Sequence, residues 1–442
     1  MAVKGNIILY SFIPLIICAG DAPTGRVLWR NAAPNSALTQ RPLAIIGAKE
    51  DRDDILRPFV PQIESEIIDV AKNGFHMKFM EKDIHVTVNS KLTMLDGKMR
   101  SALQGTGGAY CQMCKSTKPN CHKIDCVVNG FRIDRTIQDM HDIFNMLSND
   151  GESPVAKREG DYESRAGVTA QPVTHRDVNT SISITHAWLC ICIWFLNILY
   201  HIIANDKTWG FGNKADPRYK KLMKAKAKAQ EIFATVLGIT IDAADATGHS
   251  GNSITGNIAK RFFSEKCRAL LHHLVKSQYL DSITSLHTNL EVILRILSTK
   301  DHKIDIIKFR DLCTSTYIDI LINFKWVDLT PTVHQVLAHS SELVERNNCM
   351  GLGHLSEEGL EAQNKIIRRF RTYWTIQKDD DSNLKDLIKK MWLISDSVFY
   401  SFRRVVKCPK CGSIGHQRKC PMLQKDCNQS KADLMVEEII RN

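Results

Sequence analysis

Residue types that bind metal ions are concentrated in one short stretch of the sequence. Asp96 follows an alternating run from Ile84 to Leu95 that predicts a strand, and Cys111 and Cys114 come soon afterwards in a Cys-x-x-Cys. A carboxylate just past the end of a strand is well placed to hold a cation. A Cys-x-x-Cys supplies two of the four ligands of a tetrahedral zinc site. The stretch therefore predicts metal chemistry that is completed by residues elsewhere in the chain.

Two histidines far downstream are candidates for the other half of a zinc site. His334 and His339 do not share a helix face at this spacing, so both can reach one metal only at a helix end or across a turn. The alternative is that they are ordinary packed or surface histidines.

Glu361 lies where the charge of the sequence changes from acidic to basic. Ser356 can cap a helix at this point, and Glu357 and Glu361 then fall one turn apart on one face. The basic residues that follow are Lys365, Arg368, Arg369 and Arg371. A carboxylate beside these cations stays ionised, as a metal ligand must, and the cations can neutralise phosphates. The alternative is ordinary helix stabilisation by the dipole and by i,i+4 pairs.

A second cysteine group near the C-terminus has almost the spacing of a zinc knuckle. Its ligands would be Cys408, Cys411, His416 and Cys420. A glycine precedes the histidine, and there is one residue fewer than usual before the last cysteine. We predict a second zinc site here; the alternative is a disordered tail with incidental cysteines.

Composition sets the broad class of the protein. The chain has 442 residues, a formal net charge of +11 and 43% hydrophobic residues. It can bury a large core, in two or three domains or in one catalytic domain with a large insertion. Net basicity favours an anionic partner, most often nucleic acid or an acidic membrane surface, although charge alone is weak evidence. The cysteine spacing is not that of a secreted disulfide framework and favours a reducing compartment.

Two apolar runs have competing interpretations. Residues 4–20 resemble a signal peptide, but their Ile, Phe and Tyr content favours a buried strand bent at Pro14. A secreted cysteine-rich protein would rest on that run alone. Residues 187–200 suggest a membrane span, yet the run is short and carries Asn197, which favours a core helix. We expect no membrane association.

The remaining sequence predicts the elements that position these residues. Short strands are expected over 6–48, a helix from Asp51 that stops at Asn73-Gly74, and mainly helices with polar loops over 97–345. Residues 218–228 predict a helix with one basic face, which either is simply solvated or follows a phosphate backbone. A glycine-rich turn at 248–252 leads into a basic helix and could hold a phosphate.

The order and spacing of these motifs resemble the catalytic core of V(D)J recombination-activating protein 1 and its relatives, the Transib transposases. The resemblance runs over nearly all of residues 10–405. The segments that carry it are Tyr10-Ser-Phe12, Pro34-Asn-Ser36, Asp96 with Tyr110-Cys-x-x-Cys114, Gly251-Asn252 with Ala259-Lys-Arg261, His334-x-x-Leu-Ala-His339 and Ser356 through Arg371.

The resemblance implies an α/β fold, in which an RNase H-like (DDE transposase) core is interrupted by a large helical, zinc-bearing insertion. The implied domains are 1–96, a partial RNase H-like sheet without its first catalytic strand; 97–345, the helical insertion; 346–405, the catalytic glutamate helix and the helices after it; and 406–442, a CCHC zinc-knuckle-like tail. An RNase H-like core would bring Asp96 and Glu361 together, although they are far apart in the sequence.

By position, the resemblance makes Asp96 and Glu361 the second and third carboxylates of a D-D-E triad that holds Mg²⁺ or Mn²⁺. The implied structural zinc ligands are Cys111, Cys114, His334 and His339. The implied DNA contacts are Lys365, Arg368, Arg369, Arg371, Lys260 and Arg261. The implied chemistry is two-metal phosphoryl transfer, in which one strand is nicked and the freed 3′-hydroxyl attacks another phosphodiester.

The sequence departs from the family at its N-terminus. The first triad carboxylate should precede Tyr10, but residues 1–9 contain no acidic side chain, and Asp21 comes too late. We expect an N-terminally truncated gene product, an incomplete gene model or a domesticated remnant, and a transposase or recombinase with little or no activity. The alternative is a non-catalytic, zinc-dependent nucleic-acid-binding protein on the same scaffold. The resemblance also implies DNA as partner, a homodimer, a recombination-activating protein 2-like helper subunit and a nuclear location.

Overall fold

A computed structural model describes most of the chain, and the statements below concern those residues. The described residues are 7–20, 25–31, 33–47, 53–90, 95, 97–107, 110–149, 167–177, 181–212, 214–241, 254–300, 302–376, 378–396 and 430–441. The chain divides into two compact units. Unit 1 contains Met1–Ile55 and Glu357–Ser430, and unit 2 contains Leu56–Ser356 and Lys431–Asn442. These bounds differ from the domain bounds expected from the resemblance, which remain a prediction.

The strands are short and pair two by two. They are β1 (Ile8–Phe12), β2 (Ile16–Ala19), β3 (Arg26–Arg30), β4 (Arg41–Ile46), β5 (Phe75–Phe79), β6 (Lys82–Val86), β7 (Lys303–Ile304) and β8 (Ile440–Arg441). The antiparallel pairs are β1 with β4, β2 with β3, β5 with β6, and β7 with β8. The strands expected over 6–48 are therefore present, and the described ones form two-stranded ladders.

Helices form most of the described structure. The first are α1 (Asp53–Asn73), α2 (Gly97–Gln104), α3 (Lys118–Cys121), α4 (Ile124–Asn129), α5 (Ile137–Asn149), α6 (Ile184–Ala204) and α7 (Pro217–Leu237). They are followed by α8 (Gly256–Phe262), α9 (Glu265–Leu274), α10 (Ser277–Leu297), α11 (Ile306–Asn323) and α12 (Pro331–Arg346). A short 3-10 turn (Gly353–Leu355) precedes α13 (Glu358–Tyr373), α14 (Asp380–Ser395) and α15 (Lys431–Ile439).

Unit 1 has a small core where α13 and α14 meet the paired strands β1 and β4. Ile367 of α13 packs with Leu387 and Met391 of α14, and partly buried Leu9 and Ile45 from the two strands complete the cluster. The β2–β3 hairpin is closed at its open end by Asn31, whose side-chain amide donates to the carbonyl of Pro14 at 2.9 Å. The core thus fixes which face of α13 is buried within unit 1.

Unit 2 is built around α6, which is apolar on all sides. The hydroxyl of Ser183 caps its start by accepting from the amide of His186, and Asn205 in the left-handed region ends it. The helix is long and apolar enough to cross a membrane, but 67% of its most apolar window is buried in the protein. Trp194 and Phe195 lie in the main apolar cluster with residues of α7 to α12. This packing is that of the core helix predicted from the sequence.

An ionic network attaches the last helix to unit 2. Arg268 of α9 pairs with Glu291 of α10, and Arg295 of α10 bridges Glu291 at 3.3 Å and Asp433 of α15 at 2.7 Å. Burial raises the pKa of Glu291, although the two arginines oppose the shift. Strand β8 then pairs with β7. The end of the predicted tail is therefore a packed part of unit 2.

Several sequence predictions near the N-terminus need correction. The buried strand expected over residues 4–20 is, in the described part 7–20, two strands on either side of residues 13–15, and β2 is mostly exposed. The strand expected to reach Asp96 ends at Val86, and residues 87–90 have no regular structure. Alternation of residue type recognised an extended segment but gave no information on a pairing partner. The stop at Gly74 is confirmed, since this glycine has φ +64°.

Replacement of Phe195 by alanine should destabilise unit 2. The ring is fully buried and touches Phe262, Phe263 and His287. The lost contacts and the cavity should cost about 3–5 kcal/mol of unfolding free energy, measured by denaturant titration. Phe79→Ala is the matched control, because Phe79 is 54% exposed and should change stability little. Equal effects of both variants would contradict the assignment of α6 as the core element.

Candidate metal centre and basic helix

Two cysteines and two histidines form a buried group in unit 2. Cys111 and Cys114 lie in the loop after α2, and His334 and His339 lie on α12. Their candidate ligand atoms all lie within 4.8 Å of one another. The Sγ of Cys114 is 3.4 Å from Nε2 of His334, and the Sγ of Cys111 is 3.5 Å from Nε2 of His339. The structure thus brings together the four residues expected to bind zinc.

The dimensions and the donor atoms of this cluster fit a zinc ion. A tetrahedral site with the usual Zn–S and Zn–N bond lengths places sulfur and nitrogen about 3.6 Å apart. The two shorter S–N separations in the protein agree with this value. Two thiolates and two imidazoles are also the donor set of closed structural sites. The cluster could therefore hold zinc.

The position of His334 explains how two histidines five residues apart meet at one point. Thr330 caps α12, Pro331 begins it, and His334 lies in its first turn. The two imidazole rings are 5.1 Å apart between centroids and nearly perpendicular. Of the two arrangements that the spacing allowed, a helix end or a turn, the structure has the helix end, with His334 in the first turn of α12.

Tyr317 forms a hydrogen bond with Nδ1 of His334, the ring nitrogen that does not face the cysteines. The tyrosine hydroxyl lies 2.8 Å from Nδ1 of His334 and donates to the carbonyl of Cys121 at 3.0 Å. Because that hydroxyl hydrogen is used, its oxygen can accept from Nδ1–H, which leaves the Nε2 lone pair directed at the cysteines. Sequence reasoning missed Tyr317, because an aromatic residue on the preceding helix has no spacing signal that links it to a histidine.

The two thiols do not titrate alike. Burial acts to raise the pKa of Cys111, but hydrogen bonds from the Cys114 thiol and from the amides of Met113 and Cys114, with the charge of Arg135, lower it to about 7. The pKa of Cys114 is raised by its hydrogen bond to Cys111 and by burial. Burial acts to lower the pKa of His334, but hydrogen bonds with the thiols of Cys114 and Cys121 outweigh it and raise the value. The cluster therefore favours a thiolate at Cys111 near neutral pH, as metal binding requires.

Glu361 and the basic residues lie on the exposed side of α13, in unit 1. Glu361, Lys365, Arg368 and Arg369 are exposed, whereas Arg371 is half-buried and donates to Asn383 at 3.4 Å. The helix begins at Glu358 with Glu357 at the cap position, so the predicted Ser356 cap is wrong. Ser356 is instead buried just before the cap.

The opposite side of α13 is fixed by close contact with the turn at residues 33–40. A Cβ on Gly359 would lie 2.2 Å from Nε2 of Gln40 and 2.8 Å from the carbonyl of Asn35, so only glycine fits. The amide of Gln363 donates to the carbonyl of Gln40 at 3.3 Å. The first turn of α13, which carries Glu361, is thereby held rigidly on its exposed side.

Other predicted site residues have different positions. Lys260 and Arg261 lie in the last turn of α8, where both are exposed, and Arg261 also donates to the carbonyl of Leu237 at 2.8 Å. Asp96 lies outside the described residues, as do the turn at 248–252 and the four residues of the predicted zinc knuckle, Cys408, Cys411, His416 and Cys420. The magnesium site and the second zinc site therefore remain predictions.

Two comparisons with known proteins match parts of the chain. Residues 1–109 match the family model described as the Recombination-activation protein 1 (RAG1) RNase H domain. V(D)J recombination-activating protein 1 of Oncorhynchus mykiss is 33% identical over 79 residues, which are 18% of this chain and 7% of that relative. The chain thus matches only a small part of the relative. The matches support an RNase H-like domain related to recombination-activating protein 1, and Asp96 falls inside the matched range.

Replacement of His339 by alanine should remove one zinc ion per chain. His339 is fully buried and is one of the four candidate ligands, so three would remain around a polar cavity. Zinc content measured by mass spectrometry should fall by one, and thermal stability should fall with it.

Cys267→Ala is the matched control for this zinc measurement. Cys267 is a fully buried thiol of the same unit that is not part of the cluster. Its replacement should leave the zinc content unchanged. Equal zinc content in wild type and His339→Ala would contradict a zinc site at this position.

Proposed function

We propose that this protein is a DNA-binding recombinase of the recombination-activating protein 1 type. The observation that carries the proposal is the assembly of Cys111, Cys114, His334 and His339 from segments 220 positions apart. Those residues lie outside residues 1–109, the range matched by the family model, and were expected as zinc ligands from the resemblance. They therefore support the relation in a part of the chain that the family model does not reach.

The role proposed for the Cys2His2 cluster is structural. All four side chains are at most 5% exposed, and the set of four leaves no position for substrate. A zinc ion there would tie the loop after α2 to α12. The cluster would thus stabilise the helical unit and would not take part in the reaction.

The proposed reaction is phosphoryl transfer on DNA, with Asp96 and Glu361 as ligands of Mg²⁺ or Mn²⁺. When bound, these ions would activate an attacking oxygen and neutralise charge on the phosphate. Glu361 is suited to the role because it is accessible on a rigid first turn, and carboxylate oxygens are the ligands that these ions prefer. Lys365 and Arg368, one and two turns further on, can hold the phosphodiester beside it.

The printed sequence provides two of the three carboxylates that the resemblance implies. Residues 1–9 carry no acidic side chain. We propose that a polypeptide of this sequence binds DNA but is defective in cutting it. The second candidate function is a non-catalytic, zinc-dependent nucleic-acid-binding protein, which the buried Cys2His2 cluster and the exposed basic face of α13 would suffice to support. Dimerisation, a recombination-activating protein 2-like helper and a nuclear location belong to the proposal by resemblance alone.

The double substitution Lys365→Ala, Arg368→Ala should weaken DNA binding. Removal of two phosphate contacts should lower the slope of log affinity against log salt by about 1.8. The affinity should be followed by fluorescence anisotropy with a labelled duplex at several salt concentrations.

The matched control for α13 is the double substitution Lys385→Ala, Lys390→Ala on α14. Each of these lysines is paired with a carboxylate one turn earlier, at 2.6 Å. The control double variant removes the same charge from unit 1 as the α13 variant does, and it should change the salt slope of DNA affinity much less. Equal slopes for the two double variants would count against α13 as a DNA contact.

Cleavage assays distinguish the recombinase from the non-catalytic protein. On this proposal, the purified chain with Mg²⁺ or Mn²⁺ and terminal-repeat DNA should bind without nicking, because Asp96 and Glu361 alone would not complete the metal site. Robust nicking that is abolished by Asp96→Ala and by Glu361→Gln, but not by the neighbouring Glu358→Gln, would show an active enzyme and overturn the predicted defect.

A further inference from the structure

Helix α7 carries a row of exposed lysines on one face. Lys220, Lys224 and Lys228 are spaced by four residues and are all exposed, with Lys221 beside them. The residues of the opposite face are buried: Leu222, Ala225, Ala229 and Phe233. This buried face fixes the rotation of the helix, so the lysines must point to solvent. We call Lys220, Lys224 and Lys228 the lysine row.

No carboxylate among the described residues forms an ion pair with the lysine row. In the part of the chain that the structure describes, none of its three ammonium groups has an ion pair. Helix α7 contains a single acidic residue, Glu231, and no ion pair joins it to the row. Other lysines of the same unit do have carboxylate partners: Lys115 at 3.0 Å, Lys118 at 2.7 Å and Lys308 at 3.0 Å.

The lysine row lowers the stability of the protein when no anion is bound. Like charges four residues apart on a helix destabilise it, and the row contains two such pairs in succession. A polyanion laid along the row would remove this repulsion. The row is about 12 Å long, and duplex DNA presents one negative charge per about 1.7 Å of its axis, so the anion is dense enough to match it.

We propose that the lysine row of α7 is a second phosphate-contacting surface for nucleic acid, separate from α13. The inference rests on the proposed DNA-binding function and adds a contact surface in unit 2. Lysine suits this task because a flexible point charge follows a backbone without reading sequence. The far end of α7 also meets a predicted DNA-binding residue, since Arg261 donates to the carbonyl of Leu237 there.

The test compares two triple variants of the full chain that lose the same charge. Lys220→Gln, Lys224→Gln, Lys228→Gln should lower the slope of log duplex affinity against log salt by about 2.7, and should weaken binding at least tenfold at moderate salt. The control, Lys115→Gln, Lys118→Gln, Lys308→Gln, removes three lysines that already have carboxylate partners, and its slope should change far less. Equal slopes in the two triples would show a general effect of net charge and overturn the proposal.

Thermal stability without DNA provides a second readout. The triple variant of the row should be as stable as wild type or more stable, because it relieves repulsion, whereas the control triple should be less stable. Lys→Arg at the three row positions should restore the DNA affinity. A row variant with unchanged DNA binding but lost binding to anionic lipid vesicles would assign the row to a membrane surface and overturn the proposal.

The outcomes also separate this inference from the proposed function. If wild-type protein binds no nucleic acid, both fail. If wild type binds DNA through Lys365 and Arg368 while the row variant behaves as the control does, only the inference about α7 fails.

Discussion

The meeting of two distant segments at the Cys2His2 cluster is the constraint on which unit 2 depends. The sulfur of Cys114 and the ring of His334 are adjacent although 220 positions separate them in sequence. Closing so long a loop costs entropy, although the cost grows only slowly with length. Structural zinc in small proteins contributes about 10–16 kcal/mol of apparent binding free energy, which is as large as the whole net stability of a typical domain, about 5–15 kcal/mol. If the cluster holds zinc, the ion and the packing of the helices stabilise the same closure, and neither needs to suffice alone.

The helices between the two segments make that closure possible. Helix α6 is buried by α7 to α12, and Trp194 donates from its indole nitrogen to the carbonyl of Asp328 at 2.9 Å, just before α12 begins. Tyr317 of α11 then orients His334 from the other side. The position of α12, and with it both histidines, is therefore set by apolar packing and by directional hydrogen bonds together. Loss of the apolar packing or of the hydrogen bonds should displace the two histidines from the cysteines before unit 2 as a whole unfolds.

Sequence reasoning reached the cluster and the main helices, but it failed where partners decide structure. A Cys-x-x-Cys, two histidines whose spacing requires a helix end or a turn, and a glycine stop after Asn73 are local signals, and the structure agrees with each. The extent of β6 and the exposure of β2 could not be predicted, because alternation does not say what a strand pairs with or what covers it. The Ser356 cap failed because packing buried that residue before the helix began. Tyr317 had no sequence signal, because its role exists only through a contact in space.

The division of unit 1 between the two ends of the chain has a consequence for its synthesis. Strand β4 ends at Ile46, but the helices that complete its core, α13 and α14, begin only at Glu358 and Asp380. At common translation rates, the ribosome needs roughly 15–60 s to make the residues in between. During that interval the paired strands β1 and β4 lack the apolar partners that they have in the finished protein. A nascent chain of this kind exposes apolar strands for far longer than a hairpin takes to form, which makes it a natural client for chaperones that shield such segments.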